Sequence, residues 1–436
     1  MAISALALIA SGSSTAVAST DDAANSAHAA AISPTRESSS TDRPQVVQPR
    51  KNAKSTVPCD QIRKQAAAQG KATALCVESV PVFQAPKRVA RAATGSGVTW
   101  CDAQAQGQVY VTRKSICENQ VSHVSLIVPE TREVLGEAWL NIKQEVNTKN
   151  TDVNFSEDFF LRVQAVTGAL VSGFNVAIKG ECAATSACQQ GLGPWTGPAP
   201  VTLLSEKEGT WQRNWKNTTG FDTLMLEYTL TASYGAAKAS YSWGVSQNAG
   251  WQVRCDKELS TAGCVVPKYT PTFEIPSKYN EARQFIGMVQ ASMSSHPGWE
   301  GKGEPLHREA NETVARRNRD IVCDDTFRPS SSTPKPVQCD EFPFAGSKES
   351  GAQQGVTEGK TCQQYSVVSE TREGKEYLSL TWPGLNQGKM PPANAKCARA
   401  SMPKVQNEGV GGELGRKTKK WRLLMGDAYW VDAGNK

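Results

Sequence analysis

The chain lacks a long hydrophobic run. None of its apolar stretches reaches the roughly 18 residues that a membrane-spanning helix requires, so we expect no membrane contact. The chain has only four histidines, and none of its 12 cysteines forms a Cys-x-x-Cys pair. Structural zinc sites are therefore disfavoured. With 436 residues, 39% of them apolar, the chain is long enough for two or three domains.

The start of the sequence resembles a secretory signal, although the usual basic residues are missing from it. A short apolar run, Ala2 to Ala10, precedes the cleavable-looking Ala16-Val17-Ala18. The alternatives are an Ala-rich disordered tail, or a true start that lies upstream. We expect the protein to be secreted.

The cysteines favour an oxidising compartment. Their number is even, and most of them have a close neighbour in sequence. Disulfides are plausible for each neighbouring pair, although the sequence leaves the connectivity open. These pairs are Cys59/Cys76, Cys101/Cys117, Cys182/Cys188, Cys255/Cys264, Cys323/Cys339 and Cys362/Cys397.

Length and sequence patterning predict a multidomain chain. We expect an N-terminal disordered segment and an antiparallel β-sandwich, followed by a C-terminal α+β domain of the kind that the family resemblance described below implies. The predicted boundaries are 1–20 for the signal, 21–95 for a disordered or pro-segment, 96–270 for the sandwich and 271–436 for the last domain. The segment 21–95 contains a short predicted helix, Gln61 to Gln69, and a basic stretch, 87–91, which is either a processing site or a solvated linker.

Short β-branched or aromatic runs separated by turn residues predict the sandwich. His123 lies within such a run, and we interpret it as structural. In the last domain, apolar residues at helical spacing predict a helix from Tyr279 to Met293. The predicted strands are Val109 to Thr112, Val121 to Val128, Phe159 to Val166, Phe174 to Ile178, Thr223 to Thr231 and Ser240 to Val245.

Residues suited to chemistry concentrate after residue 300. His307 and Arg308 end the motif PLHR, and Asp340 and Glu341 open the motif CDEFPFA, with Glu349 eight residues after Glu341. A histidine with carboxylates and no thiolate is typical of a hard-metal hydrolase, in which Mg²⁺ or Mn²⁺ polarises a phosphate and the imidazole accepts a proton from water. From these residue types alone, a structural histidine and a surface turn are the more frequent interpretations.

CDEFPFA, at residues 339–345, resembles the CDEYPFA motif of the NucA/NucB-type deoxyribonucleases. PLHR at 305–308, Asn318-Arg319 before Cys323, and GDAYWV at 426–431 follow the same family's order. The resemblance covers about residues 250 to 436. After Ala345 the chain departs from the family, because Lys348 replaces an aromatic residue, although Glu349 is kept.

The resemblance implies a site similar to those of the ββα-metal nucleases and assigns its residues. His307 is the general base, Glu349 is the best metal ligand, and Asp340 and Glu341 belong to the catalytic core. Asn407 completes the metal shell from the start of a Gly-containing helix. Arg308 and Arg319 hold substrate phosphates.

The predicted function is metal-dependent hydrolysis of DNA with little sequence specificity, and RNA is a second candidate substrate. A net charge of +6 permits a polyanionic partner without requiring one. The basic run 416–420 either lines a DNA groove or forms a solvated helix end, and Trp421 and Trp430 are expected in the core. The alternatives are a secreted binding protein with a degenerate nuclease domain, and a toxin directed at competitor cells. No small-molecule cofactor is implied, and the oligomeric state stays open.

Overall fold

Antiparallel β-structure accounts for most of the chain in the computed structural model. The structure describes residues 43–49, 58–80, 98–183, 186–195 and 197–435, all within one compact unit, Ser40–Lys436. The predicted signal, 1–20, and the basic stretch 87–91 lie outside the described residues. No helix among the described residues has the length and apolar character to cross a membrane.

The larger of the two N-terminal sheets has eight strands in the order β1-β3-β4-β5-β6-β10-β8, with β2 also paired to β4, and all pairs are antiparallel. Its strands are β1 Gln45–Val47, β2 Ala74–Val80, β3 Gln108–Val111, β4 Ser115–Ile127, β5 Val134–Lys149, β6 Asp152–Val166, β8 Cys188–Gln190 and β10 Glu206–Trp215.

The second N-terminal sheet has six antiparallel strands in the order β14-β13-β11-β7-β9, with β12 paired to β11. Both sheets contribute to one hydrophobic core, which is the arrangement of a β-sandwich. We call the described residues 43–269 the sandwich half. The strands of the second sheet are β7 Phe174–Ala183, β9 Ala199–Val201, β11 Phe221–Tyr234, β12 Ala237–Gly244, β13 Gln252–Asp256 and β14 Gly263–Val265.

The disorder expected within 21–95 is not found at the described residues 43–49 and 58–80, whereas the pro-segment alternative stays a prediction. β1 and β2 are strands of the eight-stranded sheet, and α1 (Cys59–Ala68) lies at the predicted short helix. Ala74 to Val77 are buried, and Cys59 is joined to Cys76 by a disulfide. Burial of this short apolar run and the disulfide hold the segment on the sandwich. A further short helix, α2 (Thr99–Asp102), precedes β3.

Residues 270–435, here called the C-terminal half, have their own hydrophobic core. A three-stranded sheet has the order β15-β21-β16, and a four-stranded sheet has the order β17-β20-β18-β19. The pairs β15–β21 and β18–β20 are parallel. The strands are β15 Thr272–Glu274, β16 Leu306–His307, β17 Val337–Phe342, β18 Gln363–Arg372, β19 Lys375–Thr381, β20 Ala398–Pro403 and β21 Ala428–Asp432.

Three helices pack around these sheets, and their ends follow from the sequence. α3 (Asn280–Ser292) matches the predicted helix, and its expected apolar face is buried. α4 (Glu312–Val322) begins after Asn311, whose side chain accepts hydrogen bonds from the amides of Thr313 and Val314. Such a cap stabilises a helix by about 1 kcal/mol. α5 (Lys404–Lys420) contains Gly409, where a Cβ would overlap the Tyr279 ring, so glycine permits the close approach.

All six neighbouring cysteine pairs are joined as disulfides, as the sequence suggested. Trp421 lies in the C-terminal core, whereas Trp430 is half-buried. The described residues also include short 3₁₀ helices at Gly168–Ser172, Ser277–Tyr279, Gly359–Thr361 and Leu385–Gln387.

Candidate active site

His307 and Glu349 are in direct contact, although they lie 42 residues apart in sequence. His307 ends β16, where it pairs with Ala428 of β21. Its ring Nδ1 lies 2.8 Å from Glu349 Oε1, and its backbone amide donates to Glu349 Oε2 at 2.7 Å. The His307 carbonyl in turn accepts a hydrogen bond from the Lys348 amide at 2.9 Å. Backbone and side-chain contacts together therefore fix Glu349 against the imidazole.

These contacts define what the imidazole can do. A carboxylate accepts hydrogen bonds, so we assign the ring proton of neutral His307 to Nδ1. Nε2 then carries the lone pair and is the position that can accept a proton. The His307 and Glu349 side chains are 39% and 27% exposed, so solvent reaches the pair.

The loop that carries Glu349, residues 343–349, is held by α4 and β17. Asn318 of α4 donates from Nδ2 to the Ala345 carbonyl at 2.9 Å, and the Ala345 amide donates to the Glu341 carboxylate. Arg319 Nε donates to Glu341 Oε1 at 3.1 Å. Glu341 therefore joins α4 to the loop, and the loop in turn places Glu349 beside His307.

Asp340 and Glu341 are adjacent on β17, so their side chains point to opposite faces of the strand. Both are buried. Burial, reinforced by the neighbouring Glu341 charge, raises the pKa of Asp340 to about 8. Burial also raises the pKa of Glu341, and Arg319 opposes this shift. Among the described residues, neither carboxylate is hydrogen-bonded to His307 or Glu349, and their catalytic roles stay predictions.

Asn407 lies in the first turn of α5, near the helix start as expected. Its Nδ2 donates to Gln338 Oε1 at 2.9 Å and lies 3.4 Å from the Cys339 carbonyl oxygen. The contacts of its amide nitrogen are therefore with β17 rather than with Glu349. Metal ligation by Asn407 stays a prediction.

The two predicted phosphate-binding arginines differ in exposure. Arg308 is half-buried, its Nη1 donates to the Leu423 carbonyl, and burial lowers its pKa. The Arg319 side chain is 62% exposed while it pairs with Glu341. Arg319 is thus the one that a polyanion reaches without rearrangement of the fold.

A cavity of about 260 Å³ lies beside Glu349. Two further charged residues line this cavity: Glu304 is acidic and Lys396 is basic. We did not predict either residue from the sequence, because neither belongs to a recognised motif and only the tertiary fold brings them to Glu349. The other lining residues are Met293, Ser294, Ser295, Pro297, Pro343, Gln354, Asn394 and Ala395.

Tyr429 is a second residue that we did not assign from the sequence. It is buried, and burial followed by the nearby charge of Glu349 raises its pKa far above the ordinary value. Tyr429 belongs to the motif GDAYWV, which we used only as part of the family resemblance. The motif could therefore have pointed to Tyr429, but it did not assign this residue a role.

The donor set at the candidate site suits a hard divalent cation. Glu349 offers carboxylate oxygens, each of which has lone pairs left after its contact with His307. Mg²⁺ is typically held by one or two carboxylates and keeps several waters. Within the described chain, three potential ligands with metal-like spacing occur at Cys59, Cys76 and Glu78, but these two cysteines form a disulfide and offer no thiolate.

Comparisons of the chain with protein-family models, with curated proteins and with solved structures give no match. The likeness to the NucA/NucB-type nucleases therefore depends on the motifs themselves.

Proposed function

We propose that the chain is a metal-dependent endonuclease that hydrolyses DNA phosphodiester bonds with little sequence specificity. The observation that carries the proposal is the contact between His307 and Glu349. Two residues drawn from separate motifs, PLHR and the segment after CDEFPFA, meet at one partly exposed position.

His307 is the general base in this proposal. Nε2 accepts a proton from the attacking water, and the imidazolium that forms is stabilised by the Glu349 carboxylate at Nδ1. Because the backbone amide of His307 also binds Glu349, the ring and the carboxylate keep their relative position during proton transfer.

Glu349 would hold the Mg²⁺ or Mn²⁺ ion, and Asn407 would complete its shell. The bound ion would supply charge stabilisation at the phosphate and at the leaving oxygen. We further propose that β16, the Glu349 loop (residues 343–349) and α5 form a ββα-metal-like site, since His307 ends a strand and Asn407 lies in the first turn of a helix.

Glu341 is a positioning residue in this proposal. Its carboxylate ties Arg319 to the Ala345 amide and so holds the Glu349 loop. Arg319 is also the exposed cation beside the loop and is suited to a substrate phosphate. A phosphate contact carries no base information, which agrees with low sequence specificity.

The six disulfides and the lack of a membrane-spanning helix among the described residues are compatible with an exported protein. We propose secretion on this basis, because such disulfides persist in oxidising compartments.

The test is incubation of the purified chain with supercoiled plasmid in Mg²⁺ or Mn²⁺, with EDTA as the metal-free control and RNA as a parallel substrate. We expect metal-dependent nicking that is lost in His307→Ala and retained in the matched variant His123→Ala. Absence of cleavage in every metal would refute the proposal and favour a binding protein with a degenerate nuclease domain.

A further inference from the structure

Five charged side chains lie where the sandwich half meets the C-terminal half. Arg113, Arg254 and Asp256 come from the sandwich half, and Arg422 and Asp427 come from the C-terminal half. Asp427 is the most exposed at 17%, and Asp256 is fully buried. Charges with so little access to water need partners, and each of these finds one across the boundary.

Two arginines of the sandwich half bind the Asp427 carboxylate. Arg254 Nη1 lies 2.7 Å from both carboxylate oxygens, and Arg113 Nη2 lies 2.9 Å from Oδ2. Burial alone would raise the pKa of Asp427, but the two guanidinium groups outweigh it and lower the pKa. The charged form of the Asp427 carboxylate is therefore stabilised by the other half of the molecule.

Arg422 of the C-terminal half in turn contacts residues of the sandwich half. Its guanidinium enters the sandwich half, where it pairs with Asp256 and donates to the carbonyls of Asn150 and Thr261 at 2.9 and 2.7 Å. The Arg422 backbone has a φ of 49°, which a non-glycine residue rarely adopts. Its carbonyl accepts a hydrogen bond from Arg113 Nη2 at 3.1 Å. Residues 422–427 are thus fixed from both ends by the sandwich half.

This fixed segment lies directly against the candidate catalytic strand. The Asp427 carbonyl accepts from the Arg308 amide at 2.9 Å, and the Gly426 amide donates to the Arg308 carbonyl at 2.8 Å. His307 pairs with Ala428, the residue after Asp427. The carboxylate held by the sandwich half therefore belongs to the residue directly before the strand partner of the proposed base.

We propose that Arg113 and Arg254 position His307 through Asp427, so that the sandwich half forms part of the catalytic unit. This inference rests on the proposed function, since it concerns the same base. Arg113 and Arg254 are positioning residues, because they touch neither substrate nor metal. Without them, β16 would still pair with β21 and Arg422 would still bind the sandwich half. The Asp427 side chain, however, would lose both of its guanidinium partners, and with them the contact that sets the orientation of the ring at Glu349.

The test compares Arg254→Lys with Arg213→Lys. Arg213 forms a fully buried ion pair with Glu157 inside the sandwich half, so its variant controls for the loss of a buried guanidinium away from the boundary. We expect Arg254→Lys to lower kcat for plasmid cleavage by about tenfold to a hundredfold, the effect of a misplaced group, with KM little changed. We expect Arg213→Lys to keep kcat at a temperature where it is folded.

A second readout does not require cleavage. The chain has four histidines, so ¹³C-labelled imidazole NMR resolves the His307 ring. We expect the His307 signal to shift in Arg254→Lys and in Arg113→Lys but not in Arg213→Lys. If Arg254→Lys and Arg113→Lys are folded, and both show an unshifted His307 signal and an unchanged kcat, the proposal that these arginines position His307 is overturned.

The two readouts separate the two proposals. If the wild-type chain cleaves no DNA, the proposed function fails, while the NMR comparison still decides whether the sandwich half positions the ring. If Arg254→Lys does not fold, Arg113→Lys takes its place, because Arg254 still holds Asp427 in that variant.

Discussion

The sandwich half and the C-terminal half each contain a histidine–glutamate pair. His123 Nε2 lies 3.0 Å from Glu137 Oε1, and His307 Nδ1 lies 2.8 Å from Glu349 Oε1. The two contacts have nearly the same length, and all four side chains are partly exposed. The contact alone therefore does not distinguish a structural histidine from a catalytic one.

The surroundings of the two pairs differ. The His123 ring stacks on Trp139 at 4.8 Å, and both of its partners come from the adjacent strand β5. The His307 pair joins a strand to a loop, fixes the backbone as well as the ring, and lies beside a cavity. The stacked His123 ring fits a packing role in a regular sheet, whereas the His307 ring is held by a separate loop and is 39% exposed, as our proposal of proton transfer requires.

The largest expected effect is that of removing the proposed base. His307→Ala should lower kcat for plasmid nicking by about 10²–10⁴-fold, which is the usual contribution of a general base. His123→Ala should leave kcat unchanged. Equal losses in both variants, measured as initial nicking rates, would show that the two histidines do not differ in role.

The next largest effect concerns the partner carboxylates. Glu349→Gln keeps the shape but loses the charge that stabilises the imidazolium and holds the metal, so activity should fall by about 10–100-fold. A higher Mn²⁺ concentration should restore part of the activity that Glu349→Gln loses. Glu137→Gln is the matched control, and its cleavage rate should equal that of the wild type at every Mn²⁺ concentration.

A smaller effect concerns pH, because each half also holds a carboxyl group with a raised pKa. An unfolded aspartate titrates near pH 4, whereas folded Asp340 titrates at about 8. The folded state keeps a proton that the unfolded chain has lost. The stability from this group is therefore complete below about pH 4 and is lost as pH rises through 8, at up to about 1.4 kcal/mol per pH unit.

Asp340→Asn should flatten the pH dependence of the unfolding free energy between pH 5 and 8, measured by urea denaturation. Glu118→Gln is the sandwich-half counterpart, because burial raises the pKa of Glu118 to about 7. A slope that is unchanged in Asp340→Asn would mean that this carboxyl group is already ionised at neutral pH in the folded protein.

The smallest effect is expected for the stability of the His123 pair. Glu137→Gln should change the unfolding free energy by less than about 1 kcal/mol, because the pair is partly exposed and solvent screens it. Thermal unfolding at pH 6 and 8 measures this. A much larger loss would mean that the pair anchors the sandwich half.

Strands and helices with regular periodicity were predictable from the sequence. The run Phe159 to Val166 lies in β6, and the run Val121 to Val128 lies in β4 except for its last residue. The helix α3 differs from its prediction by one residue at each end. β5 was not predicted, because polar residues face the core. Gln144 lies fully buried there and accepts a hydrogen bond from Trp243. A buried amide breaks the alternation that identifies a strand.

The site was predictable only in part. Motif order placed His307 and Glu349 in one site, and the two do meet in the structure. Glu304, Lys396 and Asp427 were not predicted, because their positions depend on contacts between residues far apart in sequence. The contacts of Asp427 with Arg113 and Arg254 span 314 and 173 residues, and no local pattern encodes such a pairing.

A double-mutant cycle on the nicking rate tests the central claim most directly. It compares the wild type, His307→Ala, Glu349→Gln and the double variant at saturating Mn²⁺. Since the two residues act as one unit, we predict that the double variant loses no more activity than the worse single variant. If the two losses multiply instead, His307 and Glu349 act independently, and the account of the site is contradicted.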